Sequence, residues 1–177
     1  MGVLDEFRIQ FSGLKPGDHD FELEADDRFF EALGHAPDFT GSVKINLVLT
    51  KRPHMLELTF TMNGGLNSEC DRCSAAFSQP VSGRHMLYVK FADGADGEAA
   101  DDDMIILPPE AHEVDVARFV FENIALSLPL RKVPCEDLGM TGLCDQEVLQ
   151  MLEGQNKANE ANPMWDALGK MKDRFKD

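Results

Sequence analysis

The stretch SVKINLVLTKRPHMLELTFTM, residues 42–62, decides the fold. Val43, Ile45, Leu47 and Leu49 alternate with Lys44, Asn46, Val48 and Thr50. After a break at Arg52-Pro53, Leu56, Leu58, Phe60 and Met62 repeat the pattern. Successive side chains of a strand point to opposite faces, so this period predicts two antiparallel strands that share one apolar face.

Downstream, Asn63-Gly64-Gly65 offers residues tolerant of positive φ and is expected to reverse the chain, and a strand over His85–Phe91 is expected to close the meander. Upstream, the short alternating runs Phe7–Phe11 and Asp20–Leu23 flank the turn-forming Lys15-Pro16-Gly17-Asp18 and read as a hairpin. Asp26 to Gly34 begins with capping residues and ends in glycine, the pattern of a two-turn helix. Met104–Leu107 is a short apolar run stopped by Pro108-Pro109. Asp115 looks like an N-cap for a helix carrying Val116, Phe119, Val120, Ile124 and Leu128 on one stripe, ended by Pro129.

The fold class that follows is α+β: an antiparallel sheet or partly closed barrel with one covering helix, cysteine-bearing loops and a C-terminal helical tail. The domain reading assigns 1–153 to the α+β domain, 154–163 to a flexible linker and 164–177 to an amphipathic helix. Residues 154–162 are polar and lack large apolar side chains. Asn162-Pro163 then suits a helix start, with Trp165, Leu168, Met171 and Phe175 on one stripe. That stripe suits docking either on its own domain or in a partner's groove. The segment from Asp93 to Asp103 carries six acidic residues and no basic one, and is expected to be a solvated loop.

The chain has 177 residues, enough for one sizeable core, and a formal net charge of −15 from 32 acidic and 17 basic residues. Spread evenly, that charge would repel a phosphate backbone, so any nucleic-acid contact must be local or made through a partner. Basic partners are favoured instead, with simple solubility as the plainer account. The N-terminus lacks a basic region followed by an apolar stretch, and no run approaches the roughly 20 apolar residues of a membrane helix. The expectation is a cytoplasmic protein without a membrane partner. In a reducing compartment, cysteines point to metal or redox chemistry more than to structural disulfides.

Cys70-Asp71-Arg72-Cys73 is a C-x2-C pair, whose tight turn lets two thiolates face one tetrahedral ion. Cys135 and Cys144 form a looser second pair, with Gly139 and Gly142 between them to fold the loop back. Four thiolates would close a zinc shell without an open position, making such a site structural. Zinc and four metal-free thiols both stay open at this point. Turn signals around CDRC (Gly65, Asn67, Ser74, Pro80) argue against a thioredoxin-like redox pair, which sits where a strand enters a helix. Arg72, Arg84, Arg131 and Lys132 lie near the cysteines in sequence. They would form a phosphate-contacting patch if the loops converge, or pair ordinarily with Glu69, Asp71, Glu136 and Asp137. The histidines at 19, 35, 54, 85 and 112 have no ligand spacing, and no phosphate-binding loop, Rossmann glycine pattern or nucleophile elbow is present. No catalytic residues are assigned, and the chain is expected not to be an enzyme.

The conjunction of these features resembles the YceD family. It comprises a β-rich N-terminal half, Cys70 and Cys73, an acidic loop, a capped helix with Asn123-Ile124-Ala125-Leu126-Ser127-Leu128-Pro129, the Gly142-Leu143-Cys144 loop, and Asn162-Pro163-Met164-Trp165 opening the tail. Many relatives carry a further cysteine after the last loop, where this chain has Asp145-Gln146-Glu147. The resemblance implies a part in accumulation or processing of large-subunit ribosomal RNA, with no established catalytic residues. The expected partners are a basic large-subunit ribosomal protein or precursor ribosomal RNA. The candidate metal ligands are Cys70, Cys73, Cys135 and Cys144, with structural zinc as the candidate cofactor. The candidate contact residues are Arg72, Arg84, Arg131, Lys132, Trp165 and Leu168. An interaction scaffold unrelated to ribosomes, docking through the Trp165 helix, and a CxxC thiol oxidoreductase are the alternatives.

Overall fold

A computed structural model describes residues 2–35, 38–93, 99–101, 103–140 and 142–160. The chain forms two compact units: residues 1–68 with Ser78–Leu130, and Glu69–Phe77 with the chain from Arg131 onward. The second unit gathers the cysteine-bearing segments, which meet each other across a long stretch of sequence that gives no local sign of the meeting.

In the first unit a 3-10 turn at Val3–Phe7 leads into β1 (Arg8–Gln10), β2 (Gly17–Ala25), α1 (Asp27–Ala32), β3 (Gly41–Lys51), β4 (Met55–Glu69) and β5 (Ala76–Phe91). β6 (Ala99–Asp101), β7 (Met104–Leu107), β8 (Glu113–Asp115) and α2 (Ala117–Leu126) follow. Six strands form one open sheet in the order β2-β3-β4-β5-β7-β6, and β1 pairs with β8 in a small second sheet. Of the two expected architectures, the open sheet is the one formed.

The alternation in residues 42–62 sets the register. Ile45 faces Met62, Leu47 faces Phe60 and Leu49 faces Leu58 across the antiparallel β3–β4 pair, and all six are fully buried or nearly so. Burying side chains of this size stabilises by roughly 1.5–3 kcal/mol each. Helices α1 and α2 add Phe29, Phe30, Phe119, Val120 and Ile124 to the same core, with the Phe60 and Phe119 rings 5.1 Å apart. Both helices therefore contribute side chains to the core.

Three expectations are corrected. The hairpin between Phe7–Phe11 and Asp20–Leu23 does not form: β1 pairs with β8, with Arg8 opposite Asp115, while β2 pairs with β3. Asn63-Gly64-Gly65 is no turn, because β4 runs through it to Glu69. A Cβ on Gly64 would meet the Ser42 carbonyl oxygen and lie 2.6 Å from Val43 Cα, so this glycine serves close strand approach. Within the acidic stretch, residues 99–101 form β6 against β7, which itself runs parallel to β5. Residues 94–98 and 102 lie outside the described part.

In the second unit, α3 is a single turn at Pro134–Asp137 and α4 spans Gln146–Glu160. The helix covers residues 154–160, where a linker was expected. Gln, Lys, Ala and Glu are good helix formers, and a helix start at Asp145, whose Oδ1 accepts the Glu147 and Val148 amides at 2.9 and 3.3 Å, carries the chain through Gly154. No described helix is long and apolar enough to cross a membrane. The tail helix expected at 164–177, with Trp165 and Leu168, lies outside the described residues.

Candidate metal centre and cationic cluster

The C-x2-C segment is a tight knuckle between the end of β4 and the start of β5. Cys70 N–H donates to Ala75 O at 2.9 Å and Ser74 N–H to Cys70 O at 2.8 Å, while Ser74 takes a left-handed φ of 56° to close the turn. This folding places both sulfurs on one side, as the spacing predicts. Cys135 sits on α3, and Cys144 lies just before α4. The loop between them bends through Gly139 and Gly142, both at positive φ (63° and 104°), which is the use the sequence suggested for them.

The two segments are drawn together. The sulfurs of Cys70, Cys73 and Cys144 all lie within 4.8 Å of one another, and these three residues are buried. Zn–S bonds of about 2.3 Å in a tetrahedron put sulfurs about 3.8 Å apart, so three of the four cysteine sulfurs are close enough to share one ion. Cys135 stands paired with Cys144, their Sγ atoms 2.50 Å and their Cα atoms 6.5 Å apart, and Cys70 and Cys73 are free. Val133, Ala75, Val148 and Leu149 wall the cluster with apolar groups.

Hydrogen bonding favours the Cys73 thiolate. The backbone N–H groups of Ala75 and then Asp145 donate to Cys73 and hold its thiol below the ordinary 9.0, against burial, which pushes it up. Asp145 thus acts twice, as the cap of α4 and as a donor to a candidate ligand. Its typical N-cap position, three residues before an apolar Val148-Leu149 pair, was the signal that could have revealed α4.

Of the cations predicted as contacts, Arg72 and Arg131 converge. Arg72 Nη1 donates to Glu136 Oε1 at 3.0 Å and Arg131 Nη2 to Glu136 Oε2 at 2.6 Å. The Arg131 hydrogen bond, with its charge, holds the Glu136 carboxyl below its ordinary range. Lys132 enters through its backbone: its N–H donates to Asp71 Oδ2 at 2.6 Å, and its carbonyl accepts from Asp71 N–H at 2.9 Å. The ordinary ion pairing anticipated with Glu136 is therefore present, while Asp71 is bound by the Lys132 backbone amide. Arg84 is exposed on β5 in the first unit and is not part of this group.

Among the described residues both units are acidic in the same proportion: the spans of the first carry nine basic and eighteen acidic residues, those of the second four and eight.

Three clustered cysteine sulfurs on paired turns, with backbone amides directed at one of them, define the class of the site: a cysteine knuckle with metal-holding geometry, carried by an α+β chain. The family profile described as large ribosomal RNA subunit accumulation protein YceD matches residues 58–172, and the chain belongs to this family. A ribosome-related role fits that description. Neither curated proteins nor solved structures give a match.

Proposed function

We propose that this chain is a non-enzymatic, cytoplasmic ribosome-biogenesis factor that supports accumulation or processing of large-subunit ribosomal RNA. In this reading the chain's acidic surface receives a basic ribosomal protein, and the cysteine knuckle contacts precursor RNA. The observation that carries it is the family match over residues 58–172, with the chain's acidic composition of 32 acidic against 17 basic residues beside it. An anionic surface concentrates and orients cationic partners, while the two guanidiniums of Arg72 and Arg131, brought together at Glu136, offer a local contact to a phosphate backbone. The family description supplies the large-subunit setting.

With the Cys135–Cys144 pair reduced to two thiols by a cellular dithiol reductant, the knuckle would hold structural zinc through Cys70, Cys73, Cys135 and Cys144. The donor set supports this, with its all-sulfur chemistry, the short mutual distances of residues 70, 73 and 144, and amides that favour the Cys73 thiolate. Four thiolates would leave zinc no open position, in keeping with a role in folding rather than catalysis.

Gradient sedimentation of the tagged chain from a gently lysed cell tests the reading. The chain should travel with large-subunit precursors at low ionic strength and shift toward the light fractions as salt rises. Light fractions alone at every salt concentration would refute the ribosomal role and favour a scaffold of another pathway.

One observation favours a second reading, thiol–disulfide exchange: the free Cys70 and Cys73 sulfurs lie within 4.8 Å of Cys144, which is paired with Cys135. A reductase assay separates the two. Turnover of a disulfide substrate that is lost in Cys73→Ser would establish exchange chemistry, and inertness in the reduced, metal-loaded protein removes it.

A further inference from the structure

Glu136 is bound by two guanidiniums at once, yet the arrangement contributes little to stability. Arg72, Arg131 and Glu136 side chains are 39%, 62% and 47% exposed, and solvent screens ion pairs in such settings. What fixes the two arginines is the backbone. Asp71 and Lys132, their immediate neighbours, exchange two hydrogen bonds, and the Cys70–Ser74 turn holds Arg72 from the other side. Each guanidinium gives one nitrogen to Glu136, and its remaining N–H donors have no acceptor among the described residues.

Two forks held on rigid backbone and converging on one oxyanion make a phosphate-recognition geometry, here filled by a carboxylate. A phosphodiester also carries one negative charge and presents two free oxygens. It could therefore replace Glu136 with no change in charge beside the arginines. We propose that Arg72 and Arg131 form an RNA-phosphate site that Glu136 occupies in the free protein, so that RNA binds by displacing the Glu136 side chain. This deepens the RNA-contact half of the function proposed above and rests on it. Because the three side chains are all well exposed, a lone ion would stay largely hydrated there, whereas a polymer brings further phosphates to hold the contact.

The test uses the full chain and a large-subunit ribosomal RNA transcript at low ionic strength, with Glu147→Gln as a control that removes the same charge elsewhere in the unit. Glu136→Gln should tighten binding about threefold more than Glu147→Gln does. Arg72→Ala and Arg131→Ala should each weaken binding and reduce the salt slope by about one. Arg131→Lys, which retains the charge but loses the fork, should fall between wild type and Arg131→Ala. Equal effects of the two glutamine variants, or an unchanged slope in Arg131→Ala, would overturn the proposal. So would displacement of the transcript by a few equivalents of inorganic phosphate, which would make the site one for a free anion. A chain that sediments with large-subunit precursors but shows no affinity for the transcript would sink this inference and leave the ribosomal reading standing.

Discussion

The Asp26 carboxylate accepts the Arg28 and Phe29 amides, each at 3.1 Å, and the Arg28 Nε at 2.8 Å, so one side chain both caps α1 and holds a cation. Burial pushes its carboxyl up, but the Arg28 and backbone hydrogen bonds together outweigh it and leave it below the ordinary 3.8. A depressed acid contributes stability above its unfolded value. That contribution should be complete above about pH 4 and lost as pH falls through the lower folded value. Asp26→Ala should cost about 1 kcal/mol in urea unfolding at neutral pH, and the gap from wild type should narrow in acid. Glu136 belongs at this scale too. The sequence offered it only as one of four acidic neighbours of the cations, because its partner Arg72 is 64 residues away and nothing local marks the meeting.

Among the elements, β3 and β4 were legible because their information is local. A period of two states which residues are inside, and residues 43–49 and 56–62 are buried accordingly. Glycine was harder to read, since it serves either positive φ or close approach. Gly139 and Gly142 do the first, Gly64 the second. Gly64→Ala should therefore force β3 and β4 apart and cost about 1–3 kcal/mol, measured by thermal or denaturant unfolding. The β1–β8 pairing was hidden because its strands lie more than a hundred residues apart, and α4 because a helix that is polar toward its C-terminus looks like a linker. Lys51, from the end of β3, shows a similar long-range tie: its Nζ donates to the carbonyls of Phe11 and Leu14 at 2.8 and 2.9 Å. Lys51→Met should expose those acceptors to poorer pairing and lower stability by about 2 kcal/mol, with the same unfolding measurement as the check.

For the whole molecule, composition gave the net charge of −15, but the meeting of Arg72 and Arg131 needed the structure. An acidic surface and a paired-guanidinium site predict two distinct salt responses. Binding to a basic ribosomal protein should weaken steeply as the Debye length shortens from about 10 Å at 0.1 M, and should be insensitive to Arg131→Ala. Binding to RNA should respond to that substitution. The cysteine motif was legible as two pairs, and their gathering at one place is what gives the second unit a reason to be compact, since its apolar wall is small. Metal analysis of protein purified without chelator is the most direct test, made on wild type, Cys73→Ser and Cys144→Ser under reducing conditions. The account predicts one zinc per chain in wild type and little or none in either variant. Zinc bound equally by all three would contradict it.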